Sequence, residues 1–196
     1  MKNNLKITIF GDSIASGKQI DSEYSDILIE KLGKALIKIS IKAKFTVYAI
    51  PGEDTEQGRQ RLHKINKDSD LYVVIYGVND AGKHHEISKE QYAANMIYFA
   101  DYFGREKTLL VTPLCFNDNV GITKRTNRLA KLFSNALKEK NTLEEYTVVD
   151  IFSLMSLYPN FEDFLLDDGL HLNEKGYSLL SSLIVSVYVH KYILMI

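Results

Sequence analysis

The chain has one cysteine, Cys115, and three prolines in 196 residues. A lone cysteine excludes an intrachain disulfide and the familiar four-ligand zinc spacings, and it is compatible with a reducing compartment. No proline-rich stretch, low-complexity tract, internal repeat or linker interrupts the sequence, so residues 1–196 are expected to form one domain. An excess of one charge is also missing: 24 Lys and Arg face 25 Asp and Glu, for a net charge of -1. That balance supplies no global field to draw in nucleic acid or an anionic membrane, and neither is expected as a partner. The start, MKNNLKITIF, has only a short apolar run broken by Lys6. It is neither a secretory h-region nor a cleavage site, and a cytoplasmic location is expected.

Long hydrophobic runs are absent except at residues 179–196, LLSSLIVSVYVHKYILMI, which is about the length of a membrane span. Three serines, His190 and Lys191 interrupt it, while Leu180, Leu183, Ile184, Val187 and Tyr188 follow helical spacing on one face. The spacing predicts a terminal helix packed on a core rather than a membrane span, with its exposed remainder available for a homo-oligomer contact.

What is present is a globular composition, 45% hydrophobic and 25% charged. Strand-like apolar runs fall at Leu5 to Phe10, Phe45 to Ile50, Leu71 to Tyr76, Thr108 to Thr112 and Tyr146 to Ile151. Helical patterns alternate with them. Tyr24, Leu28, Leu32, Ala35 and Ile39 form one stripe, and Leu129, Leu132, Phe133, Ala136 and Leu137 another, with further helices expected at 55–66 and 88–103. Alternation of this kind predicts right-handed crossovers and a three-layer α/β/α domain around a five-stranded parallel sheet. The flavodoxin-like order 2-1-3-4-5 is expected, with ligands beyond the carboxyl ends of the strands.

That architecture gives three short segments a common address. GDSIASG at residues 11–17 follows the first strand, PGEDT at 51–55 the second and YGVND at 76–80 the third, so all lie on one rim. Residues 151–170 follow the fifth strand with little regular pattern and lead into DDGLHLNEKGY at 167–177. About twenty residues easily cross the roughly 14 Å from the fifth strand to the first, which lets His171 reach the rim.

Taken alone, Ser13 could be a nucleophile, an anion ligand or a helix cap, and a serine at a strand-to-helix turn is more often a cap or turn residue than a nucleophile. Ester hydrolysis by a serine requires a base, a group orienting that base, and donors aimed at the developing oxyanion. His171 is the candidate base, and Asp168 or its neighbour Asp167 can orient it through a turn. The backbone N–H of Gly52 and the side-chain amide of Asn79 are candidate donors.

Gly11-Asp12-Ser13, Gly52, Gly77-x-Asn79-Asp80 and Asp168-x-x-His171 together resemble, in order, the four blocks of the SGNH hydrolases, or GDSL esterase/lipase family. The resemblance runs from residue 7 to about residue 180. It implies the flavodoxin-like fold and hydrolysis of a small-molecule ester or thioester through an acyl-enzyme, without metal or cofactor. By position it implies Ser13 as nucleophile, His171 as base and Asp168 as orienting acid, with an oxyanion hole from Ser13 N–H, Gly52 N–H and Asn79. Family substrates range from acetate esters to thioesters, lysophospholipids and O-acetylated sugars; a short-acyl ester is expected here. The alternatives are a flavin- or phosphate-binding flavodoxin-like module and a non-catalytic relative.

The sequence departs from the family around the second block, where Val47 replaces a common asparagine and GEDT replaces GDT. Glu53 and Asp54 are therefore expected to bring negative charge to the hole. Asp12 and Asp80 are expected to brace their loops through backbone N–H groups. Leu114 and Phe116, after the fourth strand, and His84, after the third, are candidate substrate-lining residues, with Cys115 as a packing residue. Lys124, Arg128 and Lys131 are expected to form a solvated helical face.

Overall fold

The computed structural model describes residues 4–18, 25–82, 86–120, 125–141 and 145–194. Five parallel strands, β1 (Asn4–Gly11), β2 (Lys42–Ala49), β3 (Leu71–Ile75), β4 (Thr108–Val111) and β5 (Thr147–Val149), form one sheet in the order β2-β1-β3-β4-β5. This is the order expected from the alternation of strands and helices. All five residues of β3 are buried, as a central strand covered on both faces requires. The edge strand β2 leaves Lys42, Lys44, Thr46 and Val47 exposed.

Among the described residues six α-helices complete the layers: α1 (Ile27–Ile37), α2 (Thr55–Arg61), α3 (Lys89–Phe103), α4 (Asn127–Lys140), α5 (Ile151–Ser156) and α6 (Glu174–Val189). Helix α1 packs on α6, while α3 packs on α2 and α4. Under α3 the Phe10 ring meets Tyr76 and Phe99 edge-on, at centroid distances of 5.2 and 5.3 Å.

The predicted helical stripes shift slightly. In α1 the buried positions are Leu28, Leu32 and Leu36, Ala35 is partly buried against the core, and Ile39 lies exposed past the helix end. Tyr24 lies outside the described residues. In α4 the inward stripe is Ala130, Phe133, Ala136 and Leu137, with Leu132 turned to solvent.

The C-terminal segment Glu174–Leu194 is long and apolar enough, by length and composition alone, to cross a membrane. In this fold Tyr177, Leu180, Ile184 and Tyr188 of α6 are buried, and the solvent-facing positions Ser182, Ser186 and His190 are polar. That is the pattern of a helix laid on a protein core. Exposed large apolar side chains in this region are Leu194 and, at the end of α1, Ile37 and Ile39.

Strand register sets the rim. Gly11 pairs with both Ala49 and Ile75, and Val111 with both Ile75 and Val149. The five strands therefore end level, and the loops that leave them emerge side by side.

Candidate active site

The chain leaves β1 at a point where a side chain has no room. A Cβ on Gly11 would stand 2.1 Å from the Ile75 carbonyl oxygen. The next amide, Asp12 N–H, donates to that oxygen at 3.2 Å. Asp12 Oδ1 then accepts from Ile14 N at 2.9 Å, and Ser16 Oγ donates to the Ser13 carbonyl at 2.9 Å. These bonds close a tight turn with Ser13 near its tip. Helix α1 begins only at Ile27, so Ser13 caps no helix.

His171 reaches this turn from a small closed loop. Leu165 and Leu172 pair as an antiparallel bridge, and Leu166 N donates to the His171 carbonyl at 2.8 Å. Asn173, which caps α6 through its side-chain oxygen, also donates from Nδ2 to the carbonyls of Asp163 and Leu165. The segment between β5 and this loop contains α5 and a 3-10 turn at Phe161–Phe164.

In that setting His171 Nε2 lies 3.0 Å from Ser13 Oγ, and His171 Nδ1 lies 2.6 Å from Asp168 Oδ2. The other oxygen, Asp168 Oδ1, accepts from Leu170 N and His171 N, each at 2.9 Å. Burial pushes the Asp168 carboxyl up, but the His171 ring and these two amides outweigh it and hold the group below its ordinary value. A carboxylate only accepts, so the ring proton sits on Nδ1 and neutral Nε2 presents a lone pair to Ser13. Asp167, the rival by sequence, is exposed.

The second loop turns at Ile50-Pro51-Gly52-Glu53. Glu53 N donates to Ile50 O at 3.2 Å, Gly52 has φ +82°, and proline precedes it, which is the pattern of a type II turn. Among the described residues, neither Gly52 N–H nor Ser13 N–H donates to a protein acceptor. Asn79, 4% exposed, donates from Nδ2 to the Glu53 carbonyl at 2.9 Å and accepts at Oδ1 from Arg125 Nη2 at 3.0 Å.

The negative charge expected at the hole is absorbed. Glu53 is gripped by Arg61, whose Nε lies 2.6 and 2.8 Å from its two oxygens, and it also accepts from the Tyr76 hydroxyl. Arg61 Nη2 donates further to the carbonyls of Gly11 and Tyr48, so one guanidinium ties together the ends of β1 and β2. Asp54 caps α2 with a capping box to Gln57.

The two bracing aspartates behave as their positions suggested. Asp80 accepts from the Thr55 amide and hydroxyl, joining the second and third loops, and burial pushes its carboxyl up to about 6 despite those bonds. Asp12 is fully buried and, among the described residues, its Oδ2 has no hydrogen-bond partner. Burial pushes it up to about 8 against the Ile14 amide.

Other candidates stand elsewhere. Leu114 and Phe116 are 1% and 0% exposed, so they are core residues rather than the walls of an open cleft. Their loop is drawn inward by Asn127, which bonds both the amide and the carbonyl of Phe116. His84 lies outside the described residues, as does Lys124. Cys115 is buried, its Sγ 3.6 Å from the Phe152 carbonyl, and burial pushes its thiol up to about 12. Among the described residues no cluster of His, Cys, Asp or Glu has the makings of a metal site.

Two features escaped sequence reasoning. Arg125 sits one residue before the α4 cap Thr126, off the helical spacing that grouped its neighbours, and only the fold carries it to Asn79. The Glu53–Arg61 pair spans the two ends of a short helix, and its i, i+8 separation is no local signal.

Comparison with known proteins shows the family. A sequence model of the GDSL-like lipase/acylhydrolase family matches residues 9–179. A GDSL esterase/lipase of Arabidopsis thaliana is 24% identical, over 87% of this chain and 80% of that protein. The crystal structure of a lipase/acylhydrolase from Enterococcus faecalis is 29% identical with a TM-score of 0.83, covering 95% of this chain and 94% of the other. Axe2, an acetylxylan esterase from Geobacillus stearothermophilus, shares the fold with a TM-score of 0.74 at 15% identity, over 95% and 96% of the two chains. From the first strand to the last helix, the chain belongs to the GDSL-like lipase/acylhydrolase family.

Proposed function

We propose that the chain, working as one domain, hydrolyses a short-acyl carboxylic ester through an acyl-enzyme on Ser13. The observation that carries this reading is the relay of 3.0 Å from Ser13 Oγ to His171 Nε2 and 2.6 Å from His171 Nδ1 to Asp168. His171 takes the Ser13 proton as Oγ attacks the carbonyl carbon, and Asp168 stabilises the imidazolium that forms. The tetrahedral oxyanion is held by Ser13 N–H, Gly52 N–H and Asn79 Nδ2. As the intermediate collapses, the alcohol leaves with the proton from His171. Water, deprotonated by His171, then attacks the acyl-enzyme; the acid departs and Ser13 recovers its proton.

Engagement of Ser13 Oγ by His171 favours this over a phosphate- or flavin-binding loop, and a purified protein with a flavin spectrum would reverse that preference. The single buried cysteine suits a reducing compartment, and we place the activity in the cytoplasm. Ser13→Ala is expected to abolish turnover of p-nitrophenyl acetate; full turnover by that variant would end the assignment. A panel of esters and thioesters graded by chain length, with O-acetylated xylo-oligosaccharides added because Axe2 shares the fold, is expected to show highest kcat/KM for acetyl or propionyl groups.

A further inference from the structure

The carboxamide of Asn79 is held at both ends by partners of fixed and opposite polarity. Glu53 offers Nδ2 only a carbonyl, and Arg125 offers Oδ1 only a donor, at 2.9 and 3.0 Å. A guanidinium has no acceptor and a carbonyl no donor. Turning the amide over would set NH2 against guanidinium and oxygen against oxygen, and both bonds would be lost.

Arg125 is itself fixed. Its Nε donates to the Val78 carbonyl at 2.7 Å while Nη2 takes Asn79 Oδ1, so one edge of the fork grips two consecutive residues of the loop after β3. The loop closes tightly over it, since a Cβ on Gly82 would stand 3.3 Å from Arg125 Nε. The side chain is half-buried, where a charge is felt more strongly than in water. With one Nδ2 hydrogen given to Glu53, the second is left to point elsewhere.

We infer that Arg125 is a positioning residue of the oxyanion hole: it locks Asn79 with Nδ2 toward the developing oxyanion and polarises that amide through its oxygen. This rests on the reading of Asn79 as an oxyanion donor. An arginine that withdraws electron density at Oδ1 strengthens the N–H donor at the other end, and that gain is largest when negative charge develops in the transition state.

The test is a double-mutant cycle on p-nitrophenyl acetate, with kcat expressed per active site titrated by a fluorophosphonate. Asn79→Ala alone tests the reading of the hole; unchanged kcat there would remove that reading and this inference with it. If Asn79→Ala does lower kcat, Arg125→Met is expected to lower it about 10- to 100-fold, with KM within about threefold. In the Asn79→Ala background the same substitution is expected to cost less than about threefold, because the partner it acts through is gone. Arg125→Lys, which keeps the charge but not the fork, is expected to lose less than Arg125→Met; an equal loss would overturn the electrostatic part. An Arg125→Met kcat within about twofold of the parent, or a full multiplicative loss on top of Asn79→Ala, would overturn the inference, whatever happens to thermal stability.

Discussion

At the scale of single residues, the proposed chemistry depends on donors with a hydrogen to spare: among the described residues Ser13 N–H and Gly52 N–H meet no protein acceptor, and Asn79 gives one Nδ2 hydrogen to the Glu53 carbonyl and keeps the other. Asn79→Ala removes one proposed oxyanion donor and is expected to lower kcat about 10²- to 10³-fold with little change in KM. Steady-state kinetics on p-nitrophenyl acetate check this. Gly52 offers a different probe. Nothing lies within 4 Å of where its Cβ would be, so space is not the constraint; φ is +82°. Gly52→Ala is therefore expected to cost about 1–2 kcal/mol in stability from left-handed strain alone, measured by urea denaturation. It is also expected to lower kcat if the strain rotates the amide away from substrate. Full stability in the alanine variant would mean that the turn tolerates a side chain, and the conformational account of Gly52 would be wrong.

At the scale of elements, the loops that form the rim are tied to one another rather than merely adjacent. Asp80 holds the amide and hydroxyl of Thr55, and Arg61 binds Glu53 together with the Gly11 and Tyr48 carbonyls. Glu53 is 6% exposed. Removing one partner of such a pair strands the other charge, so Glu53→Ala is expected to destabilise the protein by about 3–5 kcal/mol in urea denaturation. A loss below about 1 kcal/mol would show that the pair is not an effective brace.

The same ties mark the limit of what the sequence disclosed. Strand order, the shared rim and the reach of His171 to it were legible because hydrophobic periodicity fixes the elements and topology then fixes where loops emerge, whereas the choice of Asp168 over Asp167 rested on the resemblance to the family. Leu114 and Phe116 were misread for the opposite reason. Their position after β4 was right, but Asn127 brackets the Phe116 backbone and turns the segment inward, and no sequence period signals a side-chain clamp eleven residues away. Likewise Glu53 looked like unwelcome charge beside the hole because Arg61 and Tyr76 meet it only in three dimensions.

At the scale of the whole molecule, burial of two carboxyl groups beneath the rim couples stability to pH. Asp12 is pushed up to about 8 and Asp80 to about 6, both above the ordinary 3.8. A raised folded-state pKa means that the folded protein binds more protons than the unfolded chain between these values, so stability falls as pH rises from about 4 to about 8. Asp168 works in the opposite sense: held below its ordinary value, it contributes stability above about pH 4 that is lost at more acid pH. The thermal midpoint is accordingly expected to decline between about pH 5 and pH 8, and Asp12→Asn, which cannot ionise, is expected to flatten that decline. An unchanged slope in the asparagine variant would mean that Asp12 does not titrate in this range.

The architecture brings a serine from the first strand and a histidine from just before the last helix to one rim. Its consequence is read most directly by mass spectrometry after treatment with a fluorophosphonate. One adduct per chain is expected, mapped to the peptide bearing Ser13, absent in Ser13→Ala and formed far more slowly in His171→Ala. Labelling at another residue, or undiminished ester hydrolysis by Ser13→Ala, would contradict Ser13 as the nucleophile.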